Sequence, residues 1–128
     1  MPKFQVQIET EYPILFLSNA SPDARFPDVT GDTFASASDD CIGFYVLSYV
    51  DGASLVTVTD EECDAGGKEV FAGVINALTG ILTVSDSSNF RYLNIPVPAG
   101  AVSVRIWADH ESTPEWVWVK LAEIRLWP

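Results

Sequence analysis

Three groups of side chains in this 128-residue chain could do chemistry: its carboxylates, its tryptophans and a lone histidine. Residues 21–64 hold ten acids, Asp23, Asp28, Asp32, Asp39, Asp40, Asp51, Asp60, Glu61, Glu62 and Asp64. Arg25 is the only base among them, so the segment carries a net −9, which leaves −2 of the chain's −11 for the other 84 residues. Carboxylates grouped in loops can solvate a surface, supply the six to eight oxygens that calcium takes, or present a focused negative field to a basic protein. No Asp-x-Asp-x-Asp-Gly string occurs, so calcium lacks its EF-hand spacing and no metal site is expected. All four tryptophans follow residue 106: Trp107, Trp116, Trp118 and Trp127. By alternation Trp107 shares a strand face with Ser103, Arg105 and Asp109, while Trp116 and Trp118 share one with Lys120. A flat ring with one donor suits a protein hot spot or a sugar ring, and it equally suits a second layer of core.

Catalysis has little to stand on. His110 lies in Asp109-His110-Glu111-Ser112, where a histidine beside carboxylates could act as a base. Adjacent loop residues seldom face one another, and there is no Gly-x-Ser-x-Gly, phosphate-cradling glycine loop or His-Glu-x-x-His. The chain reads as a non-enzyme without a cofactor. Cys41 and Cys63 are too few for a disulfide framework and too far apart for a close-spaced zinc signature, so both read as ordinary thiols.

Period-two hydropathy dominates the segments that must position these groups. Phe4, Val6 and Ile8 alternate with Gln5, Gln7 and Glu9. Val102, Val104, Ile106 and Ala108 alternate with Ser103, Arg105, Trp107 and Asp109. Further strands are expected at 12–17, 42–50, 55–59, 81–84, 90–97 and 116–127. Lys68–Gly80 fits either a helical face or a strand, and its β-branched residues and strand neighbours favour the strand. Asp51-Gly52 predicts a hairpin turn. The apolar face changes parity at Leu121-Ala122, which predicts a β-bulge there. Residues 18–40 and 60–67 read as loops. The result is an all-β chain, an antiparallel β-sandwich or open barrel of eight or nine strands, in one domain spanning 1–128.

A net charge of −11 excludes the basic footprint that nucleic acid requires, and it opposes docking on anionic membranes. No run reaches the ~20 apolar residues of a membrane span. The N-terminus lacks the apolar core of a signal peptide, so a cytoplasmic location is expected.

The stretches Gly80-Ile-Leu-Thr-Val, Leu93-Asn-Ile-Pro-Val-Pro-Ala-Gly100 and Val102-Ser-Val-Arg-Ile-Trp107 resemble the bacterial competence-protein-J nuclease inhibitors, in which a strand leads through Pro and Gly into another apolar strand. Val6-Gln-Ile-Glu-Thr-Glu-Tyr12 is compatible with that family's opening strand. The resemblance covers about half the chain and transfers no individual site residue. It implies a small acidic β protein that blocks a nuclease by occupying its basic nucleic-acid cleft.

Charge and resemblance together point to a binding protein for a basic partner. The expected contact residues are Asp23, Asp28, Asp32, Asp39, Asp40, Asp60, Glu61, Glu62 and Asp64, with Trp107, Trp116 and Trp118 as anchors. Two other readings stay open: a calcium- or carbohydrate-binding β-sandwich module using Trp116 and Trp118, and a subunit of an assembly with a tryptophan interface. The oligomeric state is left open.

Overall fold

The computed structural model describes residues 2–28, 33–64 and 66–125. Asp32, Leu126 and Trp127 lie outside the described residues. Ten strands are present there: β1 (Lys3–Ile8), β2 (Ile14–Asn19), β3 (Ala35–Ala37), β4 (Cys41–Tyr45), β5 (Ser54–Thr59), β6 (Lys68–Ala77), β7 (Ile81–Asp86), β8 (Arg91–Pro96), β9 (Gly100–Ala108) and β10 (Trp116–Leu121). They form two five-stranded sheets, ordered β1-β5-β10-β9-β6 and β3-β4-β2-β7-β8. The architecture is an all-β sandwich.

Alternation explains the core. Leu15 and Leu17 of β2, Val102, Val104 and Ile106 of β9, and Val117 and Val119 of β10 join one buried cluster with Ile42, Phe44, Val56, Ile75, Leu82 and Ile95. Each such side chain contributes about 1.5–3 kcal/mol when fully buried. The intervening residues point to the outer faces of the two sheets.

Lys68–Ala77 is a strand, as its β-branched residues predict, and Gly73 pairs with Val104 inside it. Three details differ from the sequence reading. A three-residue strand, β3, interrupts the expected loop 18–40. Asp51-Gly52 does not close a hairpin, because β4 and β5 belong to different sheets and the turn carries the chain between them. Gly52 has φ +126, a conformation that L side chains rarely adopt, so its glycine is required for a sheet-to-sheet turn. The parity change at Leu121-Ala122 is not a bulge. The strand ends at Leu121, Ala122 and Glu123 are exposed, and Ile124 returns to the core after two residues outside the ladder. The register shifts lie instead between Glu69 and Phe71 and between Val84 and Ser85.

The two acidic connections follow from strand direction. β10 pairs parallel to β5, and β10 and β6 are both antiparallel to β9, so β5 and β6 run the same way. A chain leaving β5 must return along the whole sheet to enter β6, as parallel strands always require. Residues 60–64 and 66–67 are the described parts of that return. β2 and β3 are likewise both antiparallel to β4, so the chain between them must also return along the second sheet, and residues 20–28 are the described start of that connection.

Candidate functional site

The structure places Trp107, Trp116 and Trp118 on the outer face of the first sheet. Trp118 pairs directly with Trp107 across β10 and β9, in a row that continues through Thr57 of β5. In the next row Lys120 faces Arg105 and Thr59. The Arg105 guanidinium stacks over the Trp107 ring at 4.5 Å, and the Lys3 ammonium lies 5.0 Å over the Trp118 ring.

Residues 60–64 and 66–67, between β5 and β6, run across this face as a strap. Trp118 Nε1 donates to the Glu61 carbonyl oxygen at 2.9 Å. Arg105 donates to Glu62 Oε1 at 2.9 Å and to Glu69 Oε2 at 2.5 Å. These bonds hold the guanidinium even more firmly in its charged form, the Glu69 bond first and the Glu62 bond second. At the far end Gly67 lies flush on the Trp116 ring. A Cβ there would come within 2.8 Å of that ring and 2.9 Å of the Ala108 carbonyl oxygen. Asp60, at the root of the strap, keeps Oδ1 buried without a hydrogen-bond partner.

The consequence for the expected anchors is direct. Trp118 is 7% exposed and Trp107 8%, and Trp116 is half-buried. The rings form a second apolar layer under the strap instead of an open platform for a partner or a sugar. Asp60 and Glu61 are half-buried on this strap, while Glu62 and Asp64 are exposed.

Asp23 and Asp28 belong to the other return, on the opposite side of the sandwich. Phe16 points away from the core that Leu15 and Leu17 enter, and Phe26 meets it edge-on at 4.7 Å. The base of this return is fixed by the β3–β4 turn: Asp40 Oδ1 accepts from the Arg25 N–H at 2.9 Å, and the Ser38 hydroxyl donates to the Arg25 carbonyl oxygen. Asp39 accepts from the Asn76 N–H through its own carbonyl. The structure therefore groups Asp23, Asp28, Asp39 and Asp40 near Arg25, and separates them from Asp60, Glu61, Glu62 and Asp64. Asp40 is spent on holding the loop, whereas Asp23, Asp28 and Asp39 are exposed.

A third acidic group was not anticipated. The connections β1–β2, β4–β5 and β9–β10 meet at one end of the sandwich. Tyr49 N–H donates to the Thr10 carbonyl at 2.7 Å, Leu55 N–H to the Glu115 carbonyl at 2.8 Å, and the Ser54 hydroxyl to the Pro114 carbonyl at 2.7 Å. This brings together Glu9, Glu11, Asp51, Asp109, Glu111 and Glu115, all exposed. Glu111 pairs with Lys68, which holds its carboxyl below the usual range. No single segment is rich in these acids. They occur one to three per turn, and only the strand order collects them.

His110 sits in the same end. Its Nδ1 accepts from the backbone N–H groups of Ser112 and Thr113, each at 3.1 Å. The ring shapes its own turn. Beside it a cleft of about 680 Å³ is lined by Pro13, Phe34, Tyr45, Val70, Lys68 and Glu111, among others. Among the described residues no group of three or more His, Cys, Asp or Glu is placed to hold a metal ion. Cys41 and Cys63 are both free thiols. Among the described residues no helix is long and apolar enough to cross a membrane.

These features define a two-sheet all-β fold with a returning strap on each outer face. The same fold is found in the crystal structure of ComJ, the inhibitor of the DNA-degrading activity of NucA, from Bacillus subtilis: the two superpose with a TM-score of 0.68 over 92% of this chain and 93% of that one, at 11% sequence identity. The resemblance read from Gly80–Trp107 thus holds at the level of the fold. No family model matches the chain, and no curated protein matches its sequence.

Proposed function

We propose that this chain is a non-enzymatic, inhibitor-type binding protein, and that its partner is a basic protein of the nuclease class. The observation that carries this reading is how few of its carboxylates are neutralised. Among the described residues the ion pairs are Lys68–Glu111 and Arg105 with Glu62 and Glu69. Glu9, Glu11, Asp23, Asp28, Asp39, Asp51, Asp64, Asp109 and Glu115 on the straps and turns are exposed and unpaired by any cation among the described residues, in a molecule of net charge −11, while Asp40, Asp60 and Glu61 are half-buried. Such a surface attracts a basic cleft and raises the association rate, and it repels competing nucleic acid. The fold shared with ComJ supports the inhibitor class. The engagement of His110 by its own turn supports the non-enzymatic reading.

The mechanism is occupancy. Rigid turns carry carboxylates at positions where a nucleic acid would present phosphates, and the partner's cleft is blocked by a ligand without a scissile bond. The test is DNA degradation by NucA, with the protein added in increasing amounts at low ionic strength. We expect degradation to fall to background near stoichiometric protein, and the protein alone to leave DNA intact. Undiminished degradation at a large excess of the protein contradicts the proposal.

A further inference from the structure

We infer that the docking surface is the end of the sandwich built by the β1–β2, β4–β5 and β9–β10 connections, and that it fits a basic protein surface able to receive aromatic side chains. The inference rests on the function proposed above and names the face that performs it. Tyr12 is 56% exposed, Tyr49 59% and Val50 75%, an unusual grouping of large apolar side chains at one end of a small domain. They are adjacent because the Tyr49 N–H bonds to the Thr10 carbonyl and the Thr10 hydroxyl bonds to the Tyr12 carbonyl. These bonds fix the backbone, so the side chains are presented on a rigid frame and lose little freedom on binding. Tyrosine combines a large contact area with few rotatable bonds, which is why it recurs among binding hot spots.

Concavity and charge supply the rest. The cleft of about 680 Å³ begins at Pro13, next to Tyr12, with Phe34 and Tyr45 packed edge-on at 6.2 Å in its wall. A second depression of about 400 Å³ lies on the other side, lined by Leu47, Asp51, Leu55, Glu115 and Trp116. An interlocking partner has both a ridge to grip and hollows to enter. Around the ridge stand the exposed carboxylates of Glu9, Glu11, Asp51 and Glu115. Among the residues lining the first cleft the permanent cation is Lys68, which Glu111 already holds. An apolar centre within a ring of one sign selects an oppositely charged partner and excludes acidic ones. The opposite end also exposes Leu78, Ile81 and Phe26 beside Asp23, Asp28 and Asp39, but no tyrosine stands among them and Asp40 there is held by its own loop, while the strap face has Trp107 and Trp118 covered.

The experiment is a backbone amide NMR titration of the protein with NucA at low ionic strength, repeated with the variants Tyr49→Ala and Val50→Ala. Both side chains are exposed, so both variants keep the fold, and the unperturbed spectrum verifies it. The inference expects the largest shifts in residues 9–13, 47–53 and 109–115, and a loss of affinity of about tenfold or more for Tyr49→Ala. Shifts confined to residues 21–40 or 60–67, with full affinity in both variants, overturn this surface and leave the proposed function standing. No shift in the wild-type protein contradicts the proposed function, and the docking surface falls with it.

Discussion

Cys41 and Cys63 differ in what surrounds them, and that difference is measurable. Cys41 is fully buried at the start of β4. Burial, and then the neighbouring Asp40 carboxylate, push its thiol from 9.0 up to about 12. Tyr92 is pushed from 10.0 up to about 12, first by burial and then by the hydrogen bond from its hydroxyl to Asp86. Both groups resist ionisation in the fold and ionise freely when unfolded. Their contribution to stability is therefore complete below pH 9 and is lost as pH rises towards 12. Unfolding midpoints in urea are expected to hold steady up to pH 9 and to fall beyond it. In the folded protein at pH 8 a thiol reagent is expected to label Cys63 alone, with Cys41 reacting only in denaturant, because the thiolate is the reactive species. Equal labelling rates for the two thiols in the folded state contradict this account. At this scale the sequence was informative about faces. Alternation put Arg105 and Trp107 on one side of β9, and they do stack there. It said nothing of what covers that face, because a ring under a strap and a ring in water have the same spacing.

The elements show where pattern suffices and where it fails. β1 and β9 were legible from strict alternation, since each has one face in the core and one outside it. β6 was legible through its β-branched residues. β3 was missed because three residues are too few to set a period, and the β-bridge to β4 that makes it a strand is a tertiary fact. The turn at Asp51-Gly52 carries a hairpin signal, yet it joins two sheets, since local backbone chemistry fixes a turn and not its destination. The strap depends on Gly67 in the same tertiary way. Gly67→Ala would force the Trp116 ring or the strap itself to move. Overpacking of this kind costs roughly 1–3 kcal/mol. Equilibrium unfolding should show that loss together with a red shift of tryptophan emission as water reaches the rings. An alanine variant as stable as the wild type contradicts the packing of the strap described here.

At the scale of the whole molecule, the charge is distributed differently from its order along the chain. The segment 21–64 holds most of the net charge, and the fold divides it between two opposite faces, with Asp51 at one end of the sandwich. Meanwhile acids from Glu9 to Glu115, scattered in sequence, meet at one end through the hydrogen bonds of three short turns. Linear density along the chain is thus a poor guide to where the acids gather in space. A molecule held together by aliphatic layers keeps its core when salt is added, but its attraction for a basic partner is screened once the Debye length falls below the span of the contact. The direct measurement is calorimetric titration of the protein into NucA at about 50 mM and about 300 mM salt, over which screening shortens from roughly 14 Å to roughly 6 Å. The account predicts a one-to-one complex whose affinity drops at least tenfold between the two conditions. Absence of binding at the lower salt, or an affinity that does not change with salt, would contradict it.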